Sequence, residues 1–285
     1  MKIRVLVTGA NGQLGKTIRE ISYDFLGLIE FVFVEKSKLD ITKKESVKHF
    51  FETNNFDYCI NCAAYTNVDL AESETKVAMD VNANAVKHLA VNCKQNNVVL
   101  IHISTDYVFD GKNTNPYLEN DQTNPINVYG ESKLLGEEYI KANLNNHFII
   151  RTSWLYSKFN KNFVKTIFEK IKNNQSLKII TSQKSTPTSC LDLSEFIMFL
   201  ITNKVKSFGT YHFSAQGEAT WYDLGLQIAK HFDNSSNIKP IEMYESIANR
   251  PLYSVLSNDK AIALTNKKPP SWKVSVNQIL CDLSQ

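Results

Sequence analysis

The sequence predicts an α/β protein: a doubly wound parallel sheet joined to a smaller, irregular α+β C-terminal lobe. Three observations carry this. Short β-branched runs alternate with helical segments through the first half, a glycine-rich turn follows the first run, and the alternation weakens after about residue 155. Strands alternating with helices form parallel sheets because each crossover helix covers a face of the sheet.

Ile3 to Val7 is the first strand, followed by a helix from about Leu14 to Ile21 and a second strand at Phe31 to Val34. Thr42 to Glu45 has the form of a capping box, with Val47, Phe50 and Phe51 at helical spacing behind it. Phe56 to Ala64 is the next strand, and Val77, Val81, Ala85 and Leu89 mark one face of a long helix. Val98 to Ser104 is a further apolar strand. Residues 110–127 lack a period and form a long connection, the kind that serves or covers a site. Tyr129 to Lys141 is helical and His147 to Ser153 is strand-like. Beyond them, 160–172 and 193–201 are helices, and 178–180 and 211–214 are short strands. Thr220 to Asp223 caps a helix reaching His231. The expected division is a dinucleotide-binding domain over 1–155, joined by parts of 177–205, and a substrate-binding lobe over 156–285.

With 285 residues, 43% hydrophobic and 21% charged, the chain can fill a sizeable core. A net charge of +3 without a basic stripe argues against nucleic acid. The opening apolar run is broken by Arg4 and is too short for a signal peptide, and no stretch reaches the ~18 apolar residues of a membrane span. A cytoplasmic, membrane-free protein is the expectation. Five cysteines without framework spacing suit a reducing compartment. Cys59 and Cys62 match C-x-x-C. In a strand, however, residues i and i+3 point to opposite faces, so their sulfurs cannot share an ion. The six histidines lack metal-ligand spacing, and no metal site is predicted.

The strongest local signal is Gly9-Ala10-Asn11-Gly12-Gln13-Leu14-Gly15, directly after the first strand and opening the first helix. Glycines there permit a tight turn and close approach, and the helix N-terminus offers free N–H groups to a pyrophosphate. Glu35, at the end of the second strand, is placed to accept ribose hydroxyls from NADH. Lys36 and Lys38 beside it favour the 2′-phosphate of NADPH, so both cofactors stay open. Tyr129 and Lys133 lie at i and i+4 on one helix face. An unperturbed tyrosine titrates near ~10, so a neighbouring ammonium is what would ease its ionisation and fit Tyr129 to give a proton to a developing alkoxide. Ser104 and Thr105 end a buried parallel strand, where a hydroxyl can polarise a bound carbonyl.

Taken together these residues give a Rossmann-like chain that resembles the extended short-chain dehydrogenase/reductases, and within them the dTDP-4-dehydrorhamnose reductase family. The matching segments are GANGQLG at 9–15, LDIT at 39–42, CAAYTNVDLAE at 62–72, STDYVFDG at 104–111, YGESKLLGE at 129–137, RTSWLY at 151–156, STPT at 185–188, YHFSAQGEATWYDL at 211–224 and RPLYSVLSNDK at 250–260. The resemblance implies NAD(P)H-dependent reduction of the 4-keto group of a dTDP-linked 6-deoxy-hexulose. Tyr129 would be the general acid, Lys133 its partner and Thr105 the polarising hydroxyl. It implies adenine contacts at Asp40 and Ile41. Ala63, Ala64, Tyr65 and Thr66 would wall the ribose and pyrophosphate, while Tyr107, Trp154 and Arg250 would join Ser104 and Thr105 around the sugar nucleotide. The chain departs from the family pattern in 182–188, which reads SQKSTPT, and at Asn249 before Arg250. Two other readings share the scaffold. One is a nucleotide-sugar epimerase or dehydratase, against which Tyr107 stands where elimination wants an acid. The other is a non-catalytic dinucleotide-binding subunit like the methionine adenosyltransferase beta subunit, which has no need of Thr105, Tyr129 and Lys133 together. Oligomeric state is open, a homodimer included.

Overall fold

The computed structural model describes residues 2–232, 238–243 and 245–284. Its centre is a six-stranded, all-parallel sheet of β1 (Ile3–Thr8), β2 (Ile29–Phe33), β3 (Tyr58–Asn61), β4 (Val99–Thr105), β5 (His147–Thr152) and β10 (Gly209–His212). The spatial order is β10-β5-β4-β3-β1-β2. The chain leaves β1 for β2 and then crosses back to β3, so a crevice opens at the carboxyl ends of β1 and β3, where open α/β sheets take ligands.

Alternate residues of each strand feed opposite cores. Val5, Val7, Ile60, Ile101 and Ile150 pack on one face against α1 (Gln13–Ile21) and α8 (Cys190–Thr202). Leu6, Cys59, Leu100 and Ile149 pack on the other against α2 (Lys44–Glu52), α5 (Ala85–Gln95) and α6 (Val128–Asn143). Cys59 lies in the second core and Cys62 against the first, so the two thiols do face apart. Both α8 and β10 come from beyond residue 155 and complete the sheet layer.

A separate core holds the remaining lobe. It is built from α7 (Phe163–Lys172), α9 (Trp221–Lys230) and α11 (Trp272–Ser284), with β7 (Leu177–Ile180) paired to β12 (Ile238–Ile241). The two-residue pairs β6 (Leu155–Tyr156) with β9 (Thr188–Ser189), and β8 (Lys184–Ser185) with β11 (Ala219–Thr220), tie the lobe to the site. A short helix α10 (Asp259–Thr265) packs beside β10. No described helix is long and apolar enough to cross a membrane.

The capping box predicted at Thr42 does not form. The Thr42 hydroxyl donates instead to Asp40 Oδ1 at 2.7 Å, and α2 begins at Lys44 behind an uncapped Lys43. The box at Thr220 is present, with Asp223 as its acidic member. The long helix expected through Val77 and Leu89 is three pieces, α4 (Thr75–Met79), a π-helical turn over Asp80–Asn84 and α5, and a shorter helix α3 (Val68–Ser73) precedes them. That turn widens the spiral by one residue and shifts Val77 and Val81 off the core face. Such bulges mark functional positions, and this one aims buried Asn82 at the site.

Candidate active site

The turn after β1 packs backbone against backbone and leaves no room for side chains at Gly9 and Gly15. Gly9 has φ +64°, and a Cβ there would lie 2.5 Å from the Ala63 backbone nitrogen; a Cβ on Gly15 would lie 2.6 Å from Gly9 O. Gly12 caps α1 with no side-chain hydrogen bond, so the first N–H groups of the helix face the crevice unspent. Two clefts meet here and share Gly12, Cys62 and Ala64. One, of about 470 Å³, is lined by Gly9, Lys36, Asp40, Ile41, Ala63, Tyr65, Val77 and Val81 among others. The other, of about 390 Å³, is lined by Gln13, Leu14, Thr66, Ser104, Thr105, Tyr129, Lys133 and Trp154 among others. A long bipartite ligand fits this pair better than a compact one. Gln13 Oε1 and Thr152 Oγ1 are buried beside the second cleft with no partner among the described residues, so a polar ligand there would find acceptors waiting.

The catalytic candidates converge. Thr105 ends β4, and its hydroxyl donates to Asp106 Oδ1 at 3.1 Å while accepting from the Tyr107 N–H at 3.2 Å. Tyr129 lies in the first turn of α6, whose N-cap Asn127 accepts from the Gly130 N–H. Burial pushes the Tyr129 phenol up to about 12; the neighbouring Thr105 hydroxyl opposes this and the Asp106 charge adds to it. A phenol in that range holds its proton at neutral pH, as a proton donor must. Lys133 was expected to tune Tyr129. Here its Nζ is turned to Ile103 O at 2.7 Å and His102 Nε2 at 3.2 Å, and burial draws it down to about 8. Asp106 is the buried carboxylate behind Thr105. It accepts from Ser254 at 2.5 Å and Ser185 at 3.2 Å, yet burial lifts it to about 6.

The other predicted positions divide. Asp40 and Ile41 line the first cleft, with Asp40 Oδ1 held by Thr42. Ala63 and Tyr65 lie on that side too, whereas Thr66 faces the catalytic side and Ala64 both. Tyr65 is fixed through its backbone, its N–H donating to Asn82 Oδ1 and its carbonyl accepting from Asn82 Nδ2. Glu35 departs from expectation. Its exposed carboxylate is tied to Ser37 and Asn11, which hold it low, and Lys36 rather than Glu35 lines the cleft. Ser104 reaches the cleft, but its hydroxyl donates to buried Glu137 at 2.6 Å.

Tyr107 and Arg250 also stand apart from the cleft lining. Tyr107 packs edge-on to Tyr129 with centroids 5.9 Å apart, and Arg250 pairs with Asp69 at 2.8 Å while touching Tyr107. Tyr107 thus packs on Tyr129, and Arg250 on Tyr107, outside the cleft lining. Trp154 does face the cleft. It adopts φ +44°, left-handed backbone that a bulky side chain rarely takes, and it stacks on Trp221 at 3.6 Å. The residues not foreseen are the supporting ones, namely Asn61, Asn82, His102, Asp106, Glu137 and Arg151. Only the placing of polar Asn61 and His102 within apolar runs could have flagged any of them.

A dinucleotide crevice at the sheet's switch point, with Thr105, Tyr129 and Lys133 beside its inner half, defines a Rossmann-type oxidoreductase of the short-chain dehydrogenase kind. The RmlD substrate binding domain family matches residues 1–285, and the chain belongs to that family. It is 34% identical over 287 residues to the spore coat polysaccharide biosynthesis protein SpsK of Bacillus subtilis, covering 99% of this chain and 98% of that one. Among solved structures, a dTDP-4-dehydrorhamnose reductase from Clostridium acetobutylicum is 36% identical with a TM-score of 0.93, over 99% of this chain and all of the other. The dTDP-4-dehydrorhamnose reductase of Bacillus anthracis in complex with NADP is 35% identical with a TM-score of 0.94, over the same shares.

Proposed function

We propose that this protein is a dTDP-4-dehydrorhamnose reductase, reducing the 4-keto group of dTDP-4-dehydro-6-deoxy-L-hexulose with NAD(P)H to give dTDP-L-rhamnose. The observation that carries the reading is the convergence of Thr105, Tyr129 and Lys133 on the cleft that continues from the Gly9–Gly15 turn. The turn, with Asp40, Ile41 and Lys36, would hold the dinucleotide, which supplies a hydride to the carbonyl carbon. The chain's own part is at the carbonyl oxygen. Thr105 turns its hydroxyl from Asp106 to that oxygen and polarises it. Tyr129, kept protonated by burial, delivers the phenolic proton as negative charge develops. Asp106 fixes the Thr105 rotamer, and Trp154 supplies a flat wall for a sugar or base.

An epimerase or dehydratase reading is disfavoured at Tyr107. The side chain there is a buried phenol packed against Tyr129, pushed up by burial and by Asp106, and it is a poor acid for expelling water. The test is NADPH absorbance in the presence of dTDP-4-dehydro-6-deoxy-L-hexulose, with the sugar product identified. Loss of absorbance matched mole for mole by dTDP-rhamnose supports the reading. Turnover of the sugar with no net cofactor oxidation overturns it.

A further inference from the structure

Lys133 stands at the end of a hydrogen-bond chain whose polarity can be read off donor by donor. The Ala63 N–H donates to Asn61 Oδ1 at 3.2 Å, and the Thr8 hydroxyl donates to the same oxygen at 2.7 Å. A backbone N–H can only donate, so the oxygen end of the Asn61 amide is fixed. The other end, Nδ2, lies 3.0 Å from His102 Nδ1. An amide NH₂ also can only donate, so His102 Nδ1 must be bare and the proton of the neutral ring sits on Nε2. That Nε2–H faces Lys133 Nζ at 3.2 Å. An ammonium has three protons and no lone pair, so a charged Lys133 would set donor against donor. A neutral amine has the lone pair the chain requires, and it still donates to Ile103 O at 2.7 Å. Thr8, Asn61, His102 and Lys133 are all buried, so their donors and acceptors are matched chiefly against one another.

We propose that His102, locked by Asn61 in its Nε2–H form, donates to Lys133 and holds it as the neutral amine at rest. His102 is then a positioning residue that sets the charge of the lysine beside Tyr129. This rests on the reductase reading for its consequence but not for its geometry. The groups around Lys133 move it towards that form but, at about 8, leave the ammonium favoured at neutral pH, so it is the donor count at His102 that selects the amine. Burial is the largest influence and draws Lys133 down, against smaller upward pulls from Glu137 on α6 and Cys62 at the end of β3. Glu137 is itself engaged by Arg151 of β5 through two hydrogen bonds, at 2.7 and 2.9 Å, which blunts its pull. From β4, His102 stays neutral because burial, the largest influence on it, holds it well below its ordinary range. Tyr129 holds its proton, so no phenolate faces the amine at rest. Charging Lys133 therefore requires either breaking the His102 bond or supplying a new acceptor. A ribose hydroxyl or a Tyr129 phenolate would be such an acceptor, so the ammonium forms only in the loaded, reacting site.

The direct test is a long-range ¹H–¹⁵N correlation spectrum of ¹⁵N-histidine protein without cofactor, with His102 assigned by its loss in His102→Gln. The expected pattern is a protonated Nε2 and a bare Nδ1; a protonated Nδ1 overturns the proposal. A second variant reverses the logic. Asn61→Asp puts a carboxylate oxygen opposite Nδ1, which would draw the proton there and bare Nε2 for a lysine ammonium. The tautomer should flip in that variant, and the alkaline limb of kcat/KM that follows loss of the Lys133 proton should move up by about one pH unit or more. A flipped tautomer with an unmoved limb overturns the link to Lys133. If Asn61→Asp does not fold, the wild-type tautomer decides. An inactive wild type would count against the proposed reaction and leave the tautomer result standing.

Discussion

Replacing Glu137 with alanine should destabilise the protein by about 3–5 kcal/mol, because it strands a buried guanidinium. The carboxylate is fully buried and accepts from Arg151 Nε at 2.9 Å, Arg151 Nη2 at 2.7 Å, Ser104 at 2.6 Å and Lys141 at 3.3 Å. Arg151 is 2% exposed, so without Glu137 its charge retains only Glu119 O at 3.3 Å, His212 Nε2 at 3.4 Å and the face of Phe109. For a chain of this size the loss corresponds to a fall in Tm of roughly 10 °C, measurable by circular dichroism alongside a urea titration. Glu137→Gln keeps the volume and part of the bonding, so its loss should be smaller. Burial alone would raise the Glu137 carboxyl, but the hydrogen bond and charge of Arg151, with Lys141 and Ser104, hold it below its ordinary value. A depressed folded value means that the ionised pair stabilises above the unfolded value near ~4.3, and that this is lost as pH falls through the folded value. The gap between wild type and Glu137→Gln should accordingly shrink in acid. A loss under about 1 kcal/mol in Glu137→Ala at pH 7 would refute the reasoning, since it would mean water or another acceptor replaces the carboxylate.

Tyr129→Phe should lower kcat by about 10²–10⁴-fold with cofactor affinity nearly unchanged, checked by steady-state kinetics and cofactor titration. Lys36→Ala should weaken NADPH more than NADH, because Lys36 lines the adenosine cleft; Glu35→Ala should leave the ratio of kcat/KM values for the two cofactors nearly unmoved. Asp106 rises from 3.8 unfolded to about 6 folded, so its ionisation costs stability as pH climbs between those values. The midpoint of Asp106→Asn should therefore lack that decline relative to wild type in melts at pH 4 and pH 7. The same substitution should lower kcat, because Thr105 loses the carboxylate that sets its rotamer.

The alternation of strands and helices was legible because parallel strands buried on both faces read as unbroken apolar runs, as in Phe148 to Ile150. The glycine turn was legible because only glycine tolerates the contacts at residues 9 and 15. The π-turn over Asp80–Asn84 was not, since Val77, Val81, Ala85 and Leu89 keep α-helical spacing in sequence while one extra residue per turn breaks it in space. Nor was the joining of β10 to β5, because four residues at 209–212 carry too little pattern to choose a partner strand. Beyond the end of β2 it is Lys36, the neighbour of Glu35, that lines the cleft. The strand ends at Phe33, and the chain then turns so that Lys36 faces the cleft while Glu35 caps Asn11 and Ser37. Lys133 was found by its spacing from Tyr129, but its orientation toward His102 depends on a contact between residues 31 apart in sequence.

Under the proposed function a hydride passes from bound cofactor to C4 of a sugar nucleotide. The most direct measurement uses NADPH carrying deuterium at the transferring position, with dTDP-4-dehydro-6-deoxy-L-hexulose as acceptor, followed by mass and NMR analysis of the sugar. The expected result is one deuterium at C4 of dTDP-L-rhamnose for each NADPH oxidised. A product without deuterium at C4, or sugar turnover with the NADPH absorbance intact, would contradict it.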